Sequence, residues 1–441
     1  GNMELKVVKF GGSSLADAEH FRKVAAIIKA EDSRRYVVAS APGKRSDDDE
    51  KVTDMLYECF ELAQEDRSID EVFSRIIRRY EDIIRDLGLK LDLSKEFATI
   101  KTLIEHKIGR DYAASRGEYL NAMILADFMG YDFVDAADIV RFKDNGAFDG
   151  AETQRRASKE LKKHERAVVP GFYGKMHNGS IRTFSRGGSD ITGSIVACAV
   201  EADIYENWTD VSGMLMADPR CVPDPEPIAT ITYKELRELS YMGATVLHDE
   251  AIFPVREVGI PINIRNTNDP EAKGTFIVPT VGKDDVPPHQ VTGVAGHKGF
   301  MTISVEKDMM NSELGFGRKV LAVLEKHGVS FEHLPSGIDT LSVIVDEKSM
   351  AGIEQRVIDD ICQAVNPDTI SVERDIALIA VVGRGLVSAK GTAGRVFTAI
   401  GDAGVNIKMI DQGSSELNII VGVSGEDYVP ALRAIYNEFV K

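Results

Sequence analysis

The sequence is poor in the features that would set it apart from ordinary globular proteins. Only four cysteines occur in 441 residues, Cys59, Cys198, Cys221 and Cys362, and none has Cys-x-x-Cys spacing. That scatter implies neither a disulfide framework nor a zinc site, and buried thiols are expected. Positive charge is also short. Fifty-three lysines and arginines stand against 70 aspartates and glutamates, a formal charge of −17. Wide contact with nucleic acid or an anionic membrane needs a basic footprint, so neither partner is expected, although local basic pockets stay open. No run approaches the roughly 18 apolar residues of a membrane span. The chain enters a strand-like ELKVVKF without a signal peptide, so a cytoplasmic location is expected, and Gly1 and Asn2 ahead of Met3 read as a cleavage scar. Low-complexity tracts are missing, and 43% hydrophobic with 28% charged residues is a folded, globular composition.

The length predicts two or three domains. From residue 3 to about 280, short β-rich runs such as LKVVKF and RRYVVAS alternate with amphipathic segments such as HFRKVAAIIKA, the order of an α/β domain with a mainly parallel sheet. Residues 54 to 130 carry apolar residues at helical spacing, and further strands are predicted at AVVPGFYG, ADIYENWT and IPINIRN. The stretch PTVGKDDVPPHQV, residues 279 to 291, is polar with three prolines and suits a linker.

Beyond the linker the chain repeats itself. Residues 301 to 345 align with 377 to 421 at a constant offset of 76, so that Val320 meets Val396, Gly328 meets Gly404 and Val345 meets Val421. Strand, helix, glycine stop, strand, hairpin and strand recur in both copies, the pattern of a ferredoxin-like βαββαβ unit. Such a unit leaves a sheet edge or face in search of a partner, so paired modules are expected.

Three stretches carry chemistry. In KFGGSS, Lys9 ends an apolar strand, and Gly11, Gly12 and Ser13 form a turn before a helix expected near Leu15, where backbone amides can approach an anion. In SRGGSD, Arg186, Gly187, Gly188, Ser189 and Asp190 precede a second helix, flanking another amide-rich start with a cation and a carboxylate. In NWTDVSGMLMADPR, a strand ends at Thr209 and Asp210 and the chain meanders to Arg220, which could close over phosphates. Taken singly, a surface lysine, a capped helix and a solvated loop explain each equally well.

Together these stretches resemble the amino acid kinase family and, within it, the aspartate kinases. The likeness runs through KFGGSSLAD, VVASAPG, SRGEYLNA, VPGFYG, SRGGSDITG, WTDVSGMLMADPR and YMGATVLH to the repeats, which resemble ACT domains. The resemblance implies an amino acid kinase fold, an open and mainly parallel sheet between helix layers, over residues 3–280. Two ACT modules would follow: residues 281–375 would hold the linker, the first strand of the second module at about 290–297 and the first module at about 300–370, and residues 376–441 the rest of the second. The implied reaction is transfer of phosphate from ATP to the side-chain carboxylate of L-aspartate, with Mg²⁺ bound mainly through the nucleotide and no dedicated metal ligands. A carboxylate is already ionised at neutral pH, so the difficulty is anion repulsion and no general base is needed.

By the same resemblance Lys9, Gly12 and Asp190 are catalytic. Ser40, Thr53, Glu118, Arg186 and Ser189 hold aspartate, with Arg186 on its α-carboxylate and Glu118 on its ammonium. Lys9, Gly11, Gly12, Ser13, Gly187, Gly188, Thr209, Asp210, Arg220 and Thr245 surround ATP. Thr245 and Asp249 stand where the family usually has lysine and proline, and Leu215 where some relatives have tyrosine. Met310, Glu313, Phe316, Ser330 and Glu332 fall on effector-pocket positions, with lysine the expected effector and threonine the competitor. A homodimer or dimer of dimers through the ACT modules is implied. Two alternatives stay open: an ACT-containing amino-acid sensor with a weak or inactive kinase half, and a kinase for another acidic metabolite.

Overall fold

The computed structural model describes residues 3–185, 188–244, 247–282, 285–386, 390–412 and 417–441. The chain forms two compact units. The first comprises Gly1–Met214, Pro227–Tyr233 and Val246–Val281, and the second Leu215–Glu226, Lys234–Thr245 and Gly282–Lys441. No single cut separates them, because two short excursions, Leu215–Glu226 and Lys234–Thr245, leave the first unit's stretch of chain and belong to the second.

In the first unit, β1 (Lys6–Phe10) leads through a 3₁₀ turn at Gly12–Leu15 into α1 (Ala18–Lys29), which is capped where the Asp17 carboxylate accepts the His20 amide at 3.0 Å. Strand β2 (Arg34–Ala39) follows, then the helices α2 (Val52–Gln64), α3 (Asp70–Asp86), α4 (Ser94–Glu105) and α5 (Arg110–Met129). The remaining elements used below are β3 (Asp132–Phe133), β4 (Ala167–Pro170), α6 (Gly188–Ala199), β5 (Ile204–Thr209), β6 (Thr230–Thr232), β7 (Ile262–Asn266) and β8 (Thr275–Val278).

These strands form one eight-stranded sheet in the order β3-β4-β2-β1-β5-β7-β8-β6, with the β7–β8 pair alone antiparallel among those described. The central strands are apolar on both faces, as burial between helix layers requires: β1 is buried at all five positions. From β1 the chain first builds outward through β2 and β4, then returns to add β5 and β7 on the other side. Such a reversal opens a crevice at the carboxyl ends of the strands, the usual ligand position in open α/β sheets. Helices α1 to α5 share a core that includes Phe21, Leu56, Ile76, Phe97 and Leu125.

The second unit bears out the repeat. Strand β9 (Gly293–Glu306) is followed by α7 (Phe316–Lys326), β10 (Phe331–His333), β11 (Thr340–Asp346) and α8 (Glu354–Val365). The second copy has β12 (Thr369–Val382), α9 (Thr392–Asp402), β13 (Ile407–Asp411), β14 (Asn418–Ser424) and α10 (Tyr428–Val440). All six strands join in the order β10-β11-β9-β12-β14-β13. Strand β9 is continuous. Its first half pairs with the second half of β12, Gly293 opposite Val382, and its second half pairs with β11, Met301 opposite Val345. Each copy therefore takes a strand from the other's stretch of chain. Gly299, at φ +97°, accommodates the register shift between His297 and Phe300 where the strand passes from one copy to the next.

Candidate active site

Lys9 is the fourth of five residues in β1, and Asn207 is its register partner on β5. Neighbouring parallel strands point register partners to the same face, here toward the first turn of α6. There the Lys9 ammonium lies 2.7 Å from Asp190 Oδ1, and the Asn207 amide donates to the same oxygen at 2.9 Å. Lys9 is 9% exposed and Asn207 3%, so the ion pair sits in a largely desolvated place. The Tyr205 hydroxyl donates to the Asp190 carbonyl at 2.8 Å and fixes the helix start beneath it. A methyl on Gly193 would meet that hydroxyl at 2.3 Å, so the close approach of α6 to β5 needs glycine at this position.

Two turns interlock above the lysine. The Gly43 amide donates to the Gly12 carbonyl at 2.8 Å, and a methyl on Gly43 would lie 2.7 Å from the Gly12 carbonyl carbon. A methyl on Gly12 would in turn lie 2.8 Å from the Ala41 carbonyl oxygen. The Gly11 position faces the lysine, since a methyl there would come within 3.7 Å of its Nζ. Gly43→Ala is accordingly expected to displace the Gly12 turn and to lower kcat/KM by about tenfold or more, because small misplacements of positioning groups are costly. Steady-state kinetics alongside a melting curve would separate this from simple unfolding.

Helix α5 supplies the third wall. Its small residues let it approach closely, and a methyl on Gly117 would meet the Ala41 methyl at 2.8 Å. Glu118 is buried, with its carboxylate against the Ala41 amide, and Asn121 donates to the Ser40 carbonyl at 2.8 Å. Burial pushes the Glu118 carboxyl up to about 8, against the opposing pull of its own and the Ala41 backbone amides and of Arg116. Its Oε2 has no hydrogen-bond partner among the described residues. Arg116, also buried, is held among the rings of Tyr119, Tyr112 and Tyr173 at 4.2, 4.7 and 5.2 Å, an aromatic cage around its guanidinium.

The structure thus gathers Lys9, Gly11, Gly12, Ser40, Glu118, Gly188, Ser189, Asp190 and Thr209 around the carboxyl ends of β1, β2, β4 and β5 and the helices that border them. Ser189 lies so close to Gly171, just past β4, that a methyl there would be 2.6 Å from its hydroxyl. Ser13 is exposed, and Thr53 lies half-buried in the first turn of α2. At the end of β5, Thr209 Oγ1 accepts the Val211 amide at 3.3 Å, and its carbonyl takes the Thr267 amide at 2.8 Å. Asp210 is exposed beside it. Arg186, Gly187 and Thr245 lie outside the described residues. Arg220 belongs to the second unit, where it is exposed and paired with Asp218 at 2.8 Å.

The comparisons follow this geometry. A model described as the amino acid kinase family matches residues 4–266, more than half of the chain. The chain belongs to the amino acid kinase family. Within it the chain falls among the aspartate kinases: it is 40% identical to Aspartokinase 3 of Bacillus subtilis over 451 aligned residues, 99% of this chain and 98% of that one. The crystal structure of Clostridium acetobutylicum aspartate kinase superposes with a TM-score of 0.92 at 48% identity, covering 99% of this chain and 100% of that one. Escherichia coli aspartokinase III, solved with aspartate and ADP, has a TM-score of 0.73 at 24% identity, covering 99% and 100%, a likeness of fold. An ACT domain model matches residues 379–439.

Within this family frame the sequence missed four contributors to the site. Asn207, Tyr205, Gly43 and Arg116 all lie in stretches read for other residues. For Asn207, Tyr205 and Gly43 the role depends on strand register or on contacts between distant turns, for which local sequence gives no signal, whereas for Arg116 the signal is local, tyrosines four residues before and three after it on one helix.

In the first ACT copy, Met310 and Phe316 are buried in the core with Val320 and Val343. Glu313 is half-buried, Ser330 is exposed, and Glu332 accepts a hydrogen bond from the Tyr241 hydroxyl. No helix among the described residues is long and apolar enough to cross a membrane.

Proposed function

We propose that this aspartate kinase transfers the γ-phosphoryl group of ATP to the side-chain carboxylate of L-aspartate at the Lys9–Asp190 centre, yielding 4-phospho-L-aspartate and ADP. The single observation that carries this reading is the desolvated ammonium of Lys9, 2.7 Å from Asp190 and beside the Gly11–Gly12 turn. A carboxylate oxygen of aspartate attacks the γ-phosphorus as the bond to the β-γ bridging oxygen breaks. Charge then accumulates on the transferring oxygens, and Lys9 together with turn amides is placed to meet it. Asp190 and Asn207 hold that ammonium in one position, so little reorganisation is needed as charge develops.

On the substrate side, Glu118 takes the ammonium of aspartate, Arg186 its α-carboxylate, and Ser40, Thr53 and Ser189 orient the reacting carboxylate. Gly187, Gly188, Ser13, Thr209, Asp210, Arg220 and Thr245 border the nucleotide. No described group of three or more His, Cys, Asp or Glu side chains is arranged to hold a metal. Mg²⁺ would be carried by the nucleotide phosphates and water, where it would neutralise phosphate charge. The ACT copies would bind an amino-acid effector, lysine ahead of threonine, and join chains into a homodimer or dimer of dimers.

ADP release measured with MgATP across a panel of acidic amino acids, with and without lysine or threonine, tests this reading. Turnover is expected with aspartate, and at least a severalfold drop with one of the two effectors. Turnover with glutamate or acetylglutamate in place of aspartate would overturn the substrate assignment, and indifference to both effectors would overturn the regulatory one.

A further inference from the structure

Lys307 follows directly on β9, and its backbone amide donates to the Asp339 carbonyl at 2.9 Å, which fixes the root of the side chain. Its ammonium donates to Glu313 Oε1 at 2.9 Å and to the Val365 carbonyl at 2.6 Å. Val365 is the last residue of α8, and Asn366, left-handed at φ +45°, ends the helix there. A terminal carbonyl of this kind has no partner within its helix and carries the negative end of the helix dipole. Carboxylate and carbonyl together make a corner suited to an ammonium group. The corner is not saturated: Glu313 Oε2 is buried without a hydrogen-bond partner among the described residues. Lys307 and Glu313 side chains are 23% and 31% exposed, so the ammonium can leave toward solvent without opening the core.

We propose that this corner is the amine-binding part of the first ACT copy and that Lys307 is its tethered occupant, which the ammonium of an amino-acid effector must displace to reach Glu313. The inference rests on the reading that this copy binds such an effector. A free amine sees only the fraction of molecules in which Lys307 has swung out, so its apparent affinity is lowered by that fraction. Lys307 would thereby set the effector concentration at which the enzyme responds, with no contact to substrate.

The test is lysine binding by calorimetry to the full chain and to its Lys307→Met and Lys307→Gln variants, with inhibition of ADP release measured in parallel. Both variants should bind lysine about tenfold or more tightly and be inhibited at correspondingly lower concentration, with kcat in the absence of lysine unchanged. Thermal stabilisation by n-butylammonium, a bare amine probe, should appear in the variants and not in the parent. Unchanged lysine affinity without gain of butylammonium stabilisation overturns the inference and leaves the pair a structural one. Glu313→Gln placed in the Lys307→Met background, where no tethered ammonium competes, provides an independent arm: lysine affinity should fall about tenfold relative to Lys307→Met, and an unaltered value also overturns the inference. If the parent ignores lysine and threonine, the effector reading fails by itself. Amine binding gained by the Lys307 variants would still support the tethered occupant, and its absence would sink it.

Discussion

Lys9→Ala is expected to lower kcat by roughly 10²-fold or more, with a smaller change in the affinity for MgATP. The size follows from the setting of the ammonium. At 9% exposure its field is little screened by water, and Asp190 with Asn207 leaves it one position to occupy. The same variant strands Asp190, whose carboxylate then keeps the Asn207 amide alone among the described residues. Removing one member of a buried pair typically costs about 3–5 kcal/mol, and partial exposure of Asp190 reduces that here. Stability loss and catalytic loss must therefore be separated. Asp190→Asn provides the separation, since it keeps the Lys9 charge while freeing its orientation. It should lower kcat too, and the double variant should fall no further than Lys9→Ala, because the two residues act as one unit. Lys9→Arg should not restore activity, because a planar fork cannot place its charge where a compact ammonium sits. Single-turnover kinetics beside melting curves would check this, and near-normal turnover of Lys9→Ala would place the phosphoryl group elsewhere.

What could be read from the sequence divides by the range of the interactions involved. Lys9 ahead of Gly11 and Gly12 declares a strand end and a tight turn within a few residues, and both are found. The offset of 76 carries β9 onto β12 and α7 onto α9, because a repeated core needs the same apolar positions in each copy. Asn207 could not be singled out, since its partnership with Lys9 exists only once β1 and β5 lie side by side in one register. Gly43 looks like any turn glycine until the Gly12 carbonyl arrives against it. The family resemblance puts the change from one ACT copy to the other between about 297 and 300, but the continuity of the strand there is a matter of pairing: the left-handed Gly299 bends a single strand that both copies share. Glu313 stands among the effector positions that the resemblance implies, but Lys307 looks like an unremarkable surface charge until the end of α8 closes the corner around it.

The other large effect belongs to Glu118 and is a pH dependence. Its carboxyl stands at about 8 against an ordinary 4.5, raised chiefly by burial. The ligand-free enzyme thus holds this group protonated at neutral pH, whereas the aspartate ammonium, in the binding mode proposed above, requires it ionised. Binding then releases a proton. The dissociation constant for aspartate should rise roughly 50-fold between pH 8 and pH 6, approaching a decade per unit, and level off above pH 8. Calorimetry in buffers of different ionisation enthalpy should detect close to one proton released at pH 6. Stability moves in the opposite sense. Because the folded pKa lies above the unfolded one, the contribution is present in full below about 4.5. As the pH rises through 8 it is lost, at up to about 1.4 kcal/mol per unit across that window. Saturating aspartate should restore much of it by giving the carboxylate a counter-charge. Glu118→Gln should bind aspartate weakly at pH 8, show no pH slope in that binding between 6 and 8, and lose this group's share of the pH dependence of melting over that range. A variant that kept the parent's slope would show that the proton belongs to another group, and that the ammonium of aspartate docks away from α5.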